Sequence, residues 1–267
     1  YVVPTTEWGQ PDLQGVWNFN SETPMQRPEE FGDREFLTAA EVQQARVDRE
    51  ESRAEADAKE AELNVNPEAP PVAESSGGYN SFWFEAAAIG ENVRTSLIVL
   101  PDNGRLPSVQ ASINHQPGGE RDVAGKRPVR FAVGGIGRTG PEDRGVSERC
   151  LVGFNNMPQL MPSVYNNNIQ IVQNRDFVVI LAEMVHDARM IPLRGNGRLS
   201  DDIGLWSGDS RGRWEGSTLV IETRNFNGLT QSYAGYGSSR NKLLVERLTK
   251  VGPVSYTHLT LPTTPYV

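Results

Sequence analysis

The 267-residue chain carries 26 Lys and Arg against 34 Asp and Glu, a formal net charge of −8, with one Cys and three His. It lacks the cationic footprint of a nucleic-acid binder, and no apolar run reaches the roughly 18–20 residues of a membrane-spanning helix. Only 37% of residues are apolar, while Gly and Pro number 26 and 18, a composition that favours short strands and turns over long buried helices.

Residues 1–35 read as an extended segment with one strand, Leu13 to Phe19, after which Pro24, Pro28 and Gly32 oppose helix. The chain starts at Tyr1 rather than Met, as expected of a processed end or a fragment. Thr38 and Glu41 have capping-box spacing and predict a helix over 39–63. Its thin apolar stripe, Val42, Ala45, Val47, Ala54, Ala58 and Ala61, places it on the outside. Residues 64–78 have linker composition, so 36–78 form a helix and linker and 79–253 a β-rich body that includes strand 13–19. Arg94 to Leu100 predicts a strand meeting a turn at Pro101-Asp102-Asn103-Gly104, and 105–149 a long polar loop. Ile169–Gln173 and Phe177–Val185 predict a hairpin around Asn174-Arg175-Asp176. Strands at 218–223 and 242–249 complete the series, the first entered through a turn at 214–217.

Several strings stand together: Pro11-Asp12-Leu13-Gln14-Gly15-Val16-Trp17, Tyr165-Asn166-Asn167-Asn168, Glu183-Met184-Val185-His186-Asp187-Ala188-Arg189 and Gly208-Asp209-Ser210-Arg211-Gly212-Arg213-Trp214-Glu215-Gly216. With Thr23 to Pro28, Tyr79 to Trp83 and Ser147 to Cys150, they resemble a large family of bacterial proteins from soil and sea that carry export signals and have no assigned activity. The resemblance spreads over most of residues 11–250 and implies a periplasmic or extracellular protein; it supplies no catalytic residues. From about residue 254 the chain departs from that family, and Ser255 to Thr263 is similar to translated sequencing-adapter DNA, so 254–267 read as a non-native tail. His258 therefore enters no site.

Gly135-Ile136-Gly137-Arg138-Thr139-Gly140 matches G-x-G-x-x-G, but Pro141-Glu142-Asp143-Arg144-Gly145 follows where a dinucleotide site needs a helix N-terminus, and no cofactor is expected. Gly15-Val16-Trp17 is the G-x-W that opens lipocalin-like barrels; an ordinary core tryptophan of a sandwich has the same three letters. Without His258, His115 and His186 remain, with no zinc-ligand spacing, so no metal is expected. Cys150 beside Arg149 reads as a small buried residue, and no G-x-S-x-G elbow is present.

The segment Glu183–Arg189 is the candidate for chemistry. On a regular strand Glu183, Asp187 and Arg189 face one way and His186 the other. Only a strand end or bulge near His186 lets imidazole and carboxylates converge, with His186 as general acid/base and Arg189 holding an anion. The alternative is an Asp187–Arg189 ion pair with a structural histidine. Tyr165, Asn166, Asn167 and Asn168 offer amides to a polar ligand, or cap strand ends. Asp209, Arg211 and Trp214 form either a polar and aromatic rim or a structural loop salt bridge.

The fold expected is mainly β, an antiparallel barrel or strongly bent sheet of lipocalin type with one external charged helix. The function expected is binding of a small polar or amphipathic ligand in its cavity, with no nucleic acid and no transmembrane segment. The alternative is a cofactor-independent lyase, isomerase or hydrolase using His186 with Glu183 or Asp187 and Arg189. A third possibility is an envelope-associated protein that binds partners through helix 39–63. Oligomeric state is not legible in the sequence.

Overall fold

The computed structural model describes residues 1–65, 85, 87, 89–107, 149–153, 155, 159–195, 197–228 and 240–252. The glycine motif at 135–140, His115, most of the 64–78 linker and the tail from 254 lie outside the described residues. The described part is mainly β, with one α-helix. It divides into two compact units, the first of Tyr1–Phe19, Pro107–Pro162 and Asn167–Val267, the second of Asn20–Leu106 and Ser163–Asn166.

In the first unit, β1 (Gly15–Asn18), β2 (Asn168–Gln173), β3 (Phe177–Ala182) and β4 (Ala188–Pro192) form an antiparallel sheet in the order β1-β2-β3-β4. The alternation Ile169, Ile171 and Gln173 puts every second residue of β2 inside. Register aligns Trp17, Ile169 and Ala182 in one inner row, Ile171, Ile180 and Arg189 in the next, and Gln173, Val178 and Ile191 in a third. The β2–β3 turn falls at 174–176, as its composition predicts; the Asn174 side chain accepts the Asp176 and Phe177 amides at 2.9 and 2.8 Å. Val16, Val172, Leu181 and Met190 are exposed on the opposite face.

A second antiparallel sheet has the order β5 (Asp209–Glu215), β6 (Thr218–Arg224) and β7 (Leu244–Thr249). Its inner rows are Trp214, Leu219 and Leu248; Gly212, Ile221 and Glu246; and Ser210, Thr223 and Leu244. Residues of both sheets share one apolar core, with Leu13, Trp17, Ile171, Val178, Ile191, Leu219, Ile221 and Leu248 among its members. Gly212 permits the close approach of β4 to β5, because a Cβ there would lie 2.8 Å from Leu193 and 2.9 Å from Ile191. The strands described form two sheets, and a closed barrel is not among them. Trp17 is buried and donates from its indole to the Leu13 carbonyl at 2.9 Å.

The second unit contains α1 (Ala39–Val65), two residues longer than its spacing predicts. The capping box forms: Thr38 Oγ1 accepts the Glu41 amide at 3.3 Å, and Glu41 accepts the Thr38 amide at 2.7 Å. The anticipated apolar stripe does not pack as one: Val42 is buried, but Val47, Ala54, Ala58 and Ala61 are exposed. Arg94 to Leu100 forms no regular strand, contrary to its pattern. Only Arg94 bridges Phe36, and Leu97 and Ile98 donate instead to the Pro24 and Met25 carbonyls at 2.8 and 3.1 Å. The physical reason is Arg27, which is 2% exposed. It donates to Thr95 Oγ1 at 2.9 Å and to the Asp102 carbonyl at 2.8 Å, drawing the segment around a buried guanidinium. The turn at 101–104 closes with Gly104 at φ +66, packed so tightly that a Cβ would stand 2.5 Å from Ser96 Oγ.

Candidate functional site

The anticipated β3 stops at Ala182, short of Val185, and Glu183 to Asp187 turn the chain into β4, whose separate existence the sequence pattern did not reveal. Val185 and His186 adopt left-handed backbone, with φ of 63° and 57°. A β-branched residue there is a steric outlier, and such positions concentrate where surrounding structure holds a loop for a purpose. The turn is closed by the Ala182 amide donating to the Asp187 carbonyl at 2.8 Å.

This geometry separates the four residues proposed for chemistry. Glu183 is exposed and accepts from the Asn168 side chain at 2.9 Å. His186 is exposed and makes no hydrogen bond or ion pair among the described residues. A His186–Asp187 dyad is therefore not formed. Asp187 turns toward Ser207, whose hydroxyl donates to it at 3.4 Å, and burial raises its proton affinity against the Ser207 bond and the nearby Arg189 charge. Nor is there an Asp187–Arg189 ion pair. Arg189 occupies an inner row of the first sheet and meets Glu246 of the second through two bonds, 3.3 Å to Oε1 and 2.7 Å to Oε2. The Glu246 side chain is only 2% exposed and the Arg189 side chain 12%.

Glu246 is the residue that sequence reasoning missed. Its signal was present: in Leu244-Val245-Glu246-Arg247-Leu248 a period of two places a carboxylate in phase with two leucines, and a charge in an apolar phase demands a partner. Lys242, just before β7, lies 4.7 Å from the centre of the Phe226 ring. Burial pulls its ammonium down to about 8, although Glu246 opposes that shift. Asp187 feels the Arg189 charge, Arg189 pairs with Glu246, and Glu246 acts in turn on Lys242. Their environments push an acid up and a base down, a pattern that concentrates at functional sites. Arg189 Nε is buried and has no acceptor among the described residues.

The remaining candidates have mainly structural surroundings. Asn167 is fully buried, and its carbonyl accepts the Phe19 amide at 2.9 Å. Asn168 opens β2 and joins Asn18 at 3.0 Å as well as Glu183. Tyr165 and Asn166 belong to the second unit, Asn166 at φ 59°, a conformation Asn tolerates in turns. Between Gly208 and Gly216 the chain is strand β5, Asp209–Glu215, rather than a loop: Asp209 and Arg211 pair at 2.6 Å, and the Leu199 amide donates to Asp209 at 3.2 Å. They lock β5 to the preceding segment. Trp214 packs against the core, its buried indole N–H without a partner among the described residues, so the three do not form one rim.

Cys150 is exposed, not the small buried residue its type suggests. Among the described residues no group of acids, His and Cys has the arrangement of a metal site, and no helix is long and apolar enough to cross a membrane. No protein-family model, curated protein or solved structure matches this chain.

Proposed function

We propose that the two-sheet body binds a small polar or amphipathic ligand against Asp187, Arg189, Glu246 and Lys242, with the sheets as walls of a barrel-like cavity. In the same reading the protein works in the periplasm or outside the cell, as the sequence resemblance implies. The observation that carries the reading is the ion pair between Arg189 and Glu246, turned inward from two sheets and bordered by Ile191, Leu244 and Leu248. Burying two charges gains little over well-packed apolar residues of the same volume. Recognition of a polar ligand gives the pair a reason to be there, and Arg189 Nε, with no acceptor among the described residues, is a donor for it.

The test is a thermal-shift screen of sugars, phenolics and organic acids, because a ligand that prefers the folded state raises Tm by mass action. The screen is repeated on Arg189→Met/Glu246→Leu, a double change that removes both charges together. One class of compound should raise Tm in the parent and leave the double variant unmoved. A shift of equal size in both proteins, or none in the parent, would overturn the assignment.

A second reading, a cofactor-independent lyase, isomerase or hydrolase, draws on the strained Val185–His186 turn and the free imidazole next to Asp187. Here His186 is the general acid/base and Asp187, with its raised proton affinity, the proton partner. Turnover by any compound found in the screen, abolished in His186→Gln while binding persists, distinguishes catalysis from binding alone.

A further inference from the structure

One side of α1 carries a row of three arginines. Arg46, Arg49 and Arg53 follow a spacing of three and four residues, which places them on one side of a helix. With Glu50 and Ile89 they line a cleft of about 300 Å³ in the second unit. The surroundings are otherwise acidic: α1 also carries Glu41, Asp48, Glu51, Glu55 and Asp57, and the whole chain has a net charge of −8. Three guanidiniums gathered against Glu50, with Glu22 reaching Arg49 at 3.7 Å, are thus a local reversal of sign.

The three are held differently. Arg46 donates to the Ile89 and Gly90 carbonyls at 3.1 and 2.9 Å, which fixes its fork. Among the described residues Arg49 has only a long contact with Glu22, 3.7 Å. Arg53 is exposed and makes no hydrogen bond or ion pair among the described residues. Pinning a helix to its neighbours explains Arg46. It does not explain Arg53, which contributes its charge to the cleft wall and has no ion-pair partner among the described residues.

We propose that this cleft binds a multiply charged oxyanion of the diphosphate class. From Arg46 to Arg53 the helix rises about 10 Å, so the guanidiniums form a row longer than one phosphate group. An anion with two charged centres engages the row better than a single sulfate does. Arginine suits the task because its planar fork matches the oxygens of a phosphate in pairs and never loses its charge. Glu50 and the Glu22 contact to Arg49 keep the cleft from holding every passing anion tightly. This site is separate from the one proposed on the two-sheet body and does not depend on it.

The experiment is calorimetric titration of the full chain with sodium pyrophosphate, citrate and sulfate at constant ionic strength. The expected result is saturable binding of pyrophosphate, tighter than citrate and much tighter than sulfate. Arg53→Gln should weaken pyrophosphate about tenfold or more, the worth of one hydrogen bond to a charged group, with Tm unchanged because Arg53 makes no hydrogen bond or ion pair among the described residues. Arg49→Gln should weaken it less, since part of that charge already faces Glu22. Absence of saturable binding, equal affinity in the parent and Arg53→Gln, or citrate or sulfate binding as tightly as pyrophosphate would each overturn the proposal.

Discussion

The two units hold themselves together by opposite means. In the two-sheet unit the inward faces of β2, β3 and β6 are mainly apolar, with Gln173 and Thr223 among them, and two faces close over a shared core of Ile, Val, Leu and Trp side chains. Of the charges admitted to that interior, Arg189 meets Glu246 and Asp209 meets Arg211. In the unit that carries α1, few apolar residues are buried, Val42, Ala87 and Ile98 among those described, and the centre is the guanidinium of Arg27 bonded to a hydroxyl and backbone carbonyls. The comparison teaches that a buried arginine serves two different purposes. One is matched by an acid and is replaceable for stability; the other substitutes for secondary structure by satisfying a loop's backbone, and is not.

The sharpest way to break that contrast is to make both arginines apolar. Arg189→Met/Glu246→Leu should stay within about 1 kcal/mol of the parent or exceed it, whereas Glu246→Leu alone, leaving an uncompensated cation, should cost about 3–5 kcal/mol. Arg27→Met should cost about 3 kcal/mol or more, since it strands the Asp102 carbonyl and Thr95 hydroxyl without their donor. Urea denaturation of the three variants checks this; Arg27→Met as mild as the double variant would erase the distinction. A smaller effect separates two glycines. Gly212→Ala overpacks β4 against β5 and should cost about 1–3 kcal/mol. Gly104→Ala adds to its clash a disfavoured positive φ, so it should be the worse of the two in Tm.

The next test uses pH. Arg34, then the Thr38 amide and hydroxyl, hold the Glu41 carboxyl down at about 2 from an ordinary 4.5. Because the folded value is depressed, its contribution is complete above about 4.5 and disappears as pH falls toward 2. Helix ellipticity should decline across that window, and Glu41→Gln should flatten the decline. The smallest effect belongs to Asp187, whose raised folded value means that ionisation disfavours the fold. Asp187→Asn should raise Tm slightly at neutral pH, the gain vanishing as pH falls below the ordinary 3.8 of a free aspartate. A gain that persists in acid would point to packing instead.

Much of the secondary structure was legible because its causes are local. The capping box at Thr38, the alternation in β2 and β3, and the Asn174 turn each contain their own reasons within a few residues. The strand at Arg94–Leu100 was misread because Leu97, Ile98 and Val99 suit β structure equally well when the chain instead wraps a guanidinium 68 residues away in sequence. The candidate site was half legible: Asp187 and Arg189 stand in the singled-out segment, but their partners Ser207 and Glu246 lie 20 and 57 residues on. His186 drew attention through its type and its neighbour, yet the turn leaves it exposed and unbonded.

What the sequence determined by itself was the class of structure: scarce apolar residues, abundant Gly and Pro, and period-two patterns produce short antiparallel strands with one charged helix. Only the tertiary structure decided which charges meet. A period of two says that Arg189 and Glu246 each share a phase with apolar neighbours, but two sheets must close before an arginine in β4 finds an acid in β7. Local propensity operates over a few residues, whereas the pairing of buried charges is set by sheet register and the desolvation that follows closure.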